Sequence, residues 1–235
     1  MNTEGFITGA AMLQICGRGH PSKENACEDV ILIKETDSFI FLGLADGQSA
    51  KKYCVLGGRR VLQAVSNFFY DGCSYSSVSD FRYIDELQFE ITKIIRRTLY
   101  ELSEEFHAAT TDFSSTLVVM VIDKKSKQYI SIHLGDGTIA GVHLDGVLTI
   151  ISRSENGITN QYTWLTTSAD MLLHLRLGLG SIKNYKTIYL LSDGAQALLL
   201  HRDVLIGGDA TNILKCLQKL RPVDDASCIV YEVEE

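Results

Sequence analysis

A chain of 235 residues with 46% hydrophobic content and two prolines has the make-up of a globular protein with a sizeable core. Its net charge of −7, with no Lys/Arg cluster beyond two or three residues, argues against a nucleic-acid-binding surface. No apolar run is long enough to cross a bilayer, and MNTEGFITGAA lacks a basic segment followed by an apolar one, so a cytoplasmic protein without a membrane partner is expected.

In chain order, residues 6–15, 30–34 and 38–44 read as strands. A helix is expected close behind Gly47, through QSAKKYCVLGGRRVLQAVSNFF. A second comes after the loop-like stretch 71–80, with Leu87, Ile91, Ile94, Ile95, Leu99, Leu102 and Phe106 on one apolar face. Strands are then expected at 116–123, 128–134, 138–144, 147–152, 162–166, 187–191 and 227–233, and short helices at 169–177, 195–201 and 210–220. No repeat or composition break divides the chain, so residues 1–235 are expected to form one domain. An antiparallel meander over 116–166, with paired amphipathic helices, points to an α+β fold. The expected architecture is a four-layer α-β-β-α sandwich of two mainly antiparallel sheets flanked by helices. VILI, FIFLGLA and TLVVMVI are nearly continuous apolar runs, as strands covered on both faces require.

The six cysteines (16, 27, 54, 73, 216 and 228) show no CxxC pair and no zinc-ligand spacing, and read as reduced core residues. Asp-Gly occurs five times, at 46, 71, 136, 145 and 193. Asp145 lies between alternating segments and reads as a hairpin turn; Asp71 falls in the polar loop. Asp46 and Asp193 each end an apolar run and precede a helix, which a hairpin does not explain. Asp136 fits either reading. With Glu28-Asp29 before VILIK and Asp224-Asp225 before ASCIVYEV, the acids at strand ends form a set. Strand ends of one sandwich can converge, and crowded carboxylates repel unless protonated or bridged by cations. Oxygen ligands without a His or Cys cluster suit Mg²⁺ or Mn²⁺, and a glycine behind Asp46 lets the backbone approach closely.

The ordered set ENACED, ADG, DFSSTLVVMVID, HLGDG, LLSDG and DDASCIVYEV resembles the metal-dependent protein phosphatases of the 2C type. With GRGH at 17–20 ahead of the first acidic motif, it looks most like their short bacterial branch. The resemblance implies hydrolysis of phosphoserine and phosphothreonine in proteins by a water held between two Mg²⁺ or Mn²⁺ ions, with a third, weaker ion beside them. Asp46 would bridge the two ions, with the Gly47 carbonyl on one of them. Asp193 and Asp224 would hold one metal, Glu28 and Asp29 the other, directly or through waters, and Asp136 the third. Ser115-Thr116 reads as structural, and the stretch ENGITNQYTWLTT carries no catalytic role, with Asn160 a turn residue. The implied partner is a phosphorylated protein, the substrate of a serine/threonine kinase. No Cys-x5-Arg loop, GxSxG or GxxxxGK[ST] offers another mechanism.

The sequence departs from the family pattern in three places. Many members carry a phosphate-binding Arg before the acidic pair; here Arg18 or His20 stands in that region. The His that often comes after the Asp-Gly is Gln48, so an acid role passes to His20, to a metal-bound water, or to nothing. The interval from Asp136 to Asp193 is short, which implies a reduced flap. The alternatives are a catalytically weak phosphatase fold kept as a binding or regulatory module, or a two-metal phosphatase of small-molecule phosphoesters.

Overall fold

The structure, a computed structural model, describes residues 3–7, 9–17, 27–49, 51–70, 84–156, 163–201, 204–205, 215, 219 and 222–234. The elements begin with strands β1 (Thr3–Ile7), β2 (Ala10–Ile15), β3 (Val30–Glu35) and β4 (Phe39–Ala45), then helices α1 (Cys54–Tyr70) and α2 (Ile84–Phe106). After a 3-10 turn at Thr110–Phe113 come β5 (Leu117–Asp123), β6 (Gln128–Leu134), β7 (Thr138–His143) and β8 (Leu148–Ser152). The chain continues through α3 (Met171–His174), β9 (Arg176–Ser181), β10 (Tyr185–Leu191), α4 (Asp193–Leu199), β11 (Leu200–His201), β12 (Val204–Leu205) and β13 (Ala226–Glu232). β11 and β12 pair only with each other.

Alternation along β4 and β5 builds the layers. Side chains of successive strand residues point to opposite faces. Phe41, Leu117, Val119 and Val121 pack with Val61, Leu62, Ile91 and Ile95 of α1 and α2. Ile40, Leu42, Leu44, Val118, Met120 and Ile122 face the other way, onto Ile139, Ile188, Leu190 and Ile229 of the second sheet. The outer face of that sheet carries Leu13, Tyr189, Leu191 and Val230, covered by Ala195 and Leu199 of α4. Each buried aliphatic side chain stabilises the fold by about 1.5–3 kcal/mol. Buried on both faces, β4 and β5 are therefore firm platforms for the residues at their ends.

The sheets run β3-β4-β5-β6-β9 and β1-β2-β13-β10-β7-β8, and every described strand pair is antiparallel. The expected four-layer α-β-β-α sandwich is therefore present. The expected apolar face of α2 is buried at Leu87, Ile91, Ile95, Leu99 and Leu102, with Ile94 partly buried, while Phe106 is exposed and meets Tyr53 at 5.3 Å between ring centroids. No described helix is long and apolar enough to cross a membrane.

Several expectations differ from the structure. The strand expected at 6–15 is a hairpin of β1 and β2 turning at Gly9. The first helix begins at Cys54, after a segment tied down by bonds from the Gln48 amide to the Ser114 carbonyl (3.0 Å) and from the Tyr53 amide to the Asp112 carbonyl (3.0 Å). The expected single meander is split, because β5 and β6 belong to one sheet and β7 and β8 to the other. Of 162–166, the described residues 163–166 hold only an isolated bridge, Asn156 to Thr163, and 169–177 is one turn of α3 followed by β9. Two glycines in RLGLGS, weak strand formers, hid β9 from a reading of alternation. The loop at 71–80, with Asp71, lies outside the described residues, as does most of the helix expected at 210–220, of which Lys215 and Lys219 are helical.

Candidate active site

Asp46 stands directly after β4, and β5 fixes it there. The Asp46 amide donates to Thr116 Oγ1 (2.9 Å), and the Asp46 carbonyl accepts from the Thr116 amide (2.8 Å). This agrees with the structural reading of Ser115-Thr116. Asp193 comes from the opposite sheet, one residue beyond the end of β10, as the first residue of α4. Asp136 lies where the chain passes from β6 in one sheet to β7 in the other. Carboxylate oxygens of Asp46, Asp136 and Asp193 all lie within 4.8 Å of one another.

Such crowding is electrostatically costly. Burial first, then the charges of Asp29, Asp193 and Asp136, hold the Asp46 carboxyl well above the usual carboxylate range. Burial and the charges of Asp136 and Asp224 raise Asp193. Asp29, 3% exposed, is pushed up to about 7 by burial and by Asp225 and Asp193, against the pull of the Ser227 and Ser192 hydroxyls. Neither Asp29 oxygen makes a hydrogen bond of ordinary geometry. A buried carboxylate left so, beside three converging acids, is a donor set that hard divalent cations satisfy.

The remaining expected residues are placed less uniformly. Glu28 is buried just ahead of β3; its amide donates to Asp225 Oδ2 (2.5 Å) and its carbonyl accepts from the Gly47 amide (3.2 Å). A Cβ on Gly47 would lie 2.7 Å from that carbonyl oxygen, so glycine is needed here for the approach of two backbones. Asp224 stands exposed on the rim of the same cavity, near enough for its charge to act on Asp193. Asp145 is an exposed turn residue between β7 and β8, as expected. Arg18, His20 and Asn160 lie outside the described residues.

A cavity of about 480 Å³ opens over Asp46 and Asp136 of the trio, lined also by Asp224, Gln48, Lys51 and Thr163 among others. Three features of the site were not anticipated. Lys51 is the only basic side chain among the described residues lining it; its signal was the basic pair shortly after Asp46. Thr163 Oγ1 donates to Asp136 Oδ2 at 2.5 Å, so the TWLTT stretch, read as having no catalytic role, positions an acid of the cluster. Behind that wall, Trp164 stacks on His174 (3.5 Å between centroids), and Glu155 pairs with both His174 (3.0 Å) and Arg176 (3.2 Å). The third is Asp225, whose carboxylate binds the amides of Gly17 (2.7 Å) and Glu28, drawing β2, β3 and β13 together at the site.

Comparison with known proteins gives a consistent picture. The family model described as Protein phosphatase 2C matches residues 16–223. No curated protein matches the chain. Among solved structures, the serine/threonine phosphatase Stp1 from Staphylococcus aureus superposes with a TM-score of 0.72 at 15% identity, over 98% of this chain and 97% of that one. The S. agalactiae serine/threonine phosphatase gives 0.69 at 15% identity, over 96% and 99%. RsbX, in a crystal structure with magnesium, gives 0.61 at 12% identity over the whole of both chains.

Proposed function

Because the chain belongs to the protein phosphatase 2C family, we propose that it is a Mg²⁺- or Mn²⁺-dependent phosphatase that hydrolyses phosphoserine and phosphothreonine in proteins. The observation that carries this reading is the convergence of Asp46, Asp136 and Asp193 within 4.8 Å beneath an open polar cavity. In this reading two ions are held by Asp46, Asp193, Asp224, Asp29 and Glu28, with the Gly47 carbonyl as a further ligand and Asp136 serving a third, weaker ion. When bound, such ions supply an activated water and neutralise charge during in-line displacement at phosphorus.

The chain's own side chains do the rest. Thr116 locks the Asp46 backbone, so that its carboxylate is presented without a search over conformers. Thr163 fixes the orientation of Asp136. Lys51 brings a positive charge to a cavity otherwise dominated by acids and attracts the phosphate dianion. Gln48 lines the cavity and hydrogen-bonds, but it gives no proton to a leaving alkoxide. Arg18 and His20 are further candidates for phosphate binding and proton transfer.

The test is hydrolysis of para-nitrophenyl phosphate and a phosphothreonine peptide with Mn²⁺, with Mg²⁺ and with EDTA. Turnover of both substrates with metal and none with EDTA is expected. Turnover that survives EDTA would overturn the reading. Metal binding without turnover of either substrate would replace it with that of a binding module.

A further inference from the structure

Cys16 and Cys27 lie eleven residues apart in sequence, with no zinc-type spacing, yet the fold brings them together. Cys16 comes directly after β2 and Cys27 precedes the acidic pair ahead of β3. Both sulfurs and a carboxylate oxygen of Asp225 lie within 4.8 Å of one another. This group shares no residue with the Asp46–Asp136–Asp193 trio. We propose that Cys16, Cys27 and Asp225 form a separate site for a thiophilic divalent cation of the Zn²⁺ class, which ties the end of β2 to the start of β3.

The geometry is built in advance. Asp225 is buried, and its two oxygens accept the amides of Gly17 (2.7 Å) and Glu28 (2.5 Å), the residues immediately after Cys16 and Cys27. One carboxylate therefore holds the backbone beside both thiols. Two sulfurs on one zinc ion, each about 2.3 Å from it, sit roughly 4 Å apart, which the observed separation accommodates. Two thiolates with one carboxylate suit a borderline-soft ion better than Mg²⁺, which takes oxygen ligands. On binding, each thiol releases its proton to solvent and the sulfur becomes a ligand.

The test is titration of the reduced full-length chain with Cd²⁺ and with Co²⁺ in excess Mg²⁺, monitoring thiolate-to-metal charge-transfer absorption in the ultraviolet. One equivalent should saturate the band. Cys16→Ser and Cys27→Ser should each abolish it, whereas Asp46→Asn and the double variant Cys73→Ser/Cys216→Ser should keep it. Absence of the band in the unaltered chain would overturn the proposal, whatever the folding of the serine variants. So would its survival in Cys16→Ser or its loss in the Cys73/Cys216 double variant. None of these outcomes bears on the phosphatase reading, which rests on other residues.

Discussion

Asp136-Gly137 and Asp145-Gly146 are the same dipeptide, and each stands between two strands, yet they serve opposite ends. At Asp145 the next strand stays in the sheet: the His143 amide donates to the Val147 carbonyl (2.8 Å) and Gly146 takes a positive φ of 86°. The Asp145 carboxylate is used up by its own turn, accepting from the Val147 amide (3.0 Å). At Asp136 the next strand leaves for the other sheet, so no hairpin forms and the carboxylate meets acids from elsewhere in the chain. A strand-end acid becomes a site residue when no hairpin follows it and its strand ends at the edge where both sheets meet. Asp46 and Asp193, which end central strands of opposite sheets, arrive at the same edge.

The sharpest way to break that contrast is to remove one charge from each class. Asp46→Asn should lower metal-dependent phosphatase turnover by about a hundredfold or more, since several kcal/mol of charge stabilisation depends on it. Asp145→Asn should stay within about twofold, as a surface change away from any site does. Steady-state kinetics on the aryl substrate compares them, and similar losses in both would erase the distinction between turn and site.

Asp136→Asn should cost less, roughly tenfold, or about 1.4 kcal/mol of barrier, because Asp46 and Asp193 remain. Thr163→Val, which removes the hydrogen bond to Asp136, should reproduce part of that loss and raise the metal concentration needed for half-maximal rate. If Thr163→Val matched the unaltered protein at every metal concentration, Thr163 would have no positioning role.

The acid cluster should also be visible without any substrate. Asp29 is raised from 3.8 to about 7 in the folded chain, and Asp46 and Asp193 shift in the same direction. A carboxyl whose folded pKa is raised contributes stability that is fully present below its unfolded value and is lost as pH rises through the folded one. The metal-free chain should therefore lose stability, relative to the Mg²⁺-saturated chain, from about pH 4 to about pH 7. Thermal unfolding with Mg²⁺ and with EDTA across that range gives the gap, which should widen with pH and be smaller in Asp46→Asn. A gap independent of pH would mean that the carboxylates do not share an ion.

The smallest effect is expected at Gln48. Gln48→His supplies a group able to protonate a departing serine or threonine oxygen, so the ratio of aryl to alkyl phosphate turnover should narrow through a faster alkyl reaction. An unchanged ratio would show that the proton comes from another group.

How much of the molecule is legible in the sequence depends on how local each signal is. The apolar runs of β4 and β5, the stripe on α2 and the turn at Asp145 are written in neighbouring residues, and all were readable. Asp46 and Asp193 were marked by an acid ending an apolar run without a second strand behind it. The Thr163–Asp136 bond and the grip of Asp225 on Gly17 join segments far apart in the chain, and Cys16 meets Cys27 across eleven residues without a zinc-type spacing. No spacing rule encodes them, because they depend on which strand ends the two sheets bring to one edge. For the same reason Asp136 fits either a turn or a site when read from its neighbours alone: periodicity assigns a strand but not the sheet it joins.

The most direct test of the central claim, that acids from both sheets converge to hold metal, is a count of Mn²⁺ bound to the metal-free chain by electron paramagnetic resonance. At least two ions should bind the unaltered protein, binding should be lost or severely weakened in Asp46→Asn, and Asp145→Asn should bind as the unaltered chain does. Equal binding by the unaltered protein and Asp46→Asn would contradict it.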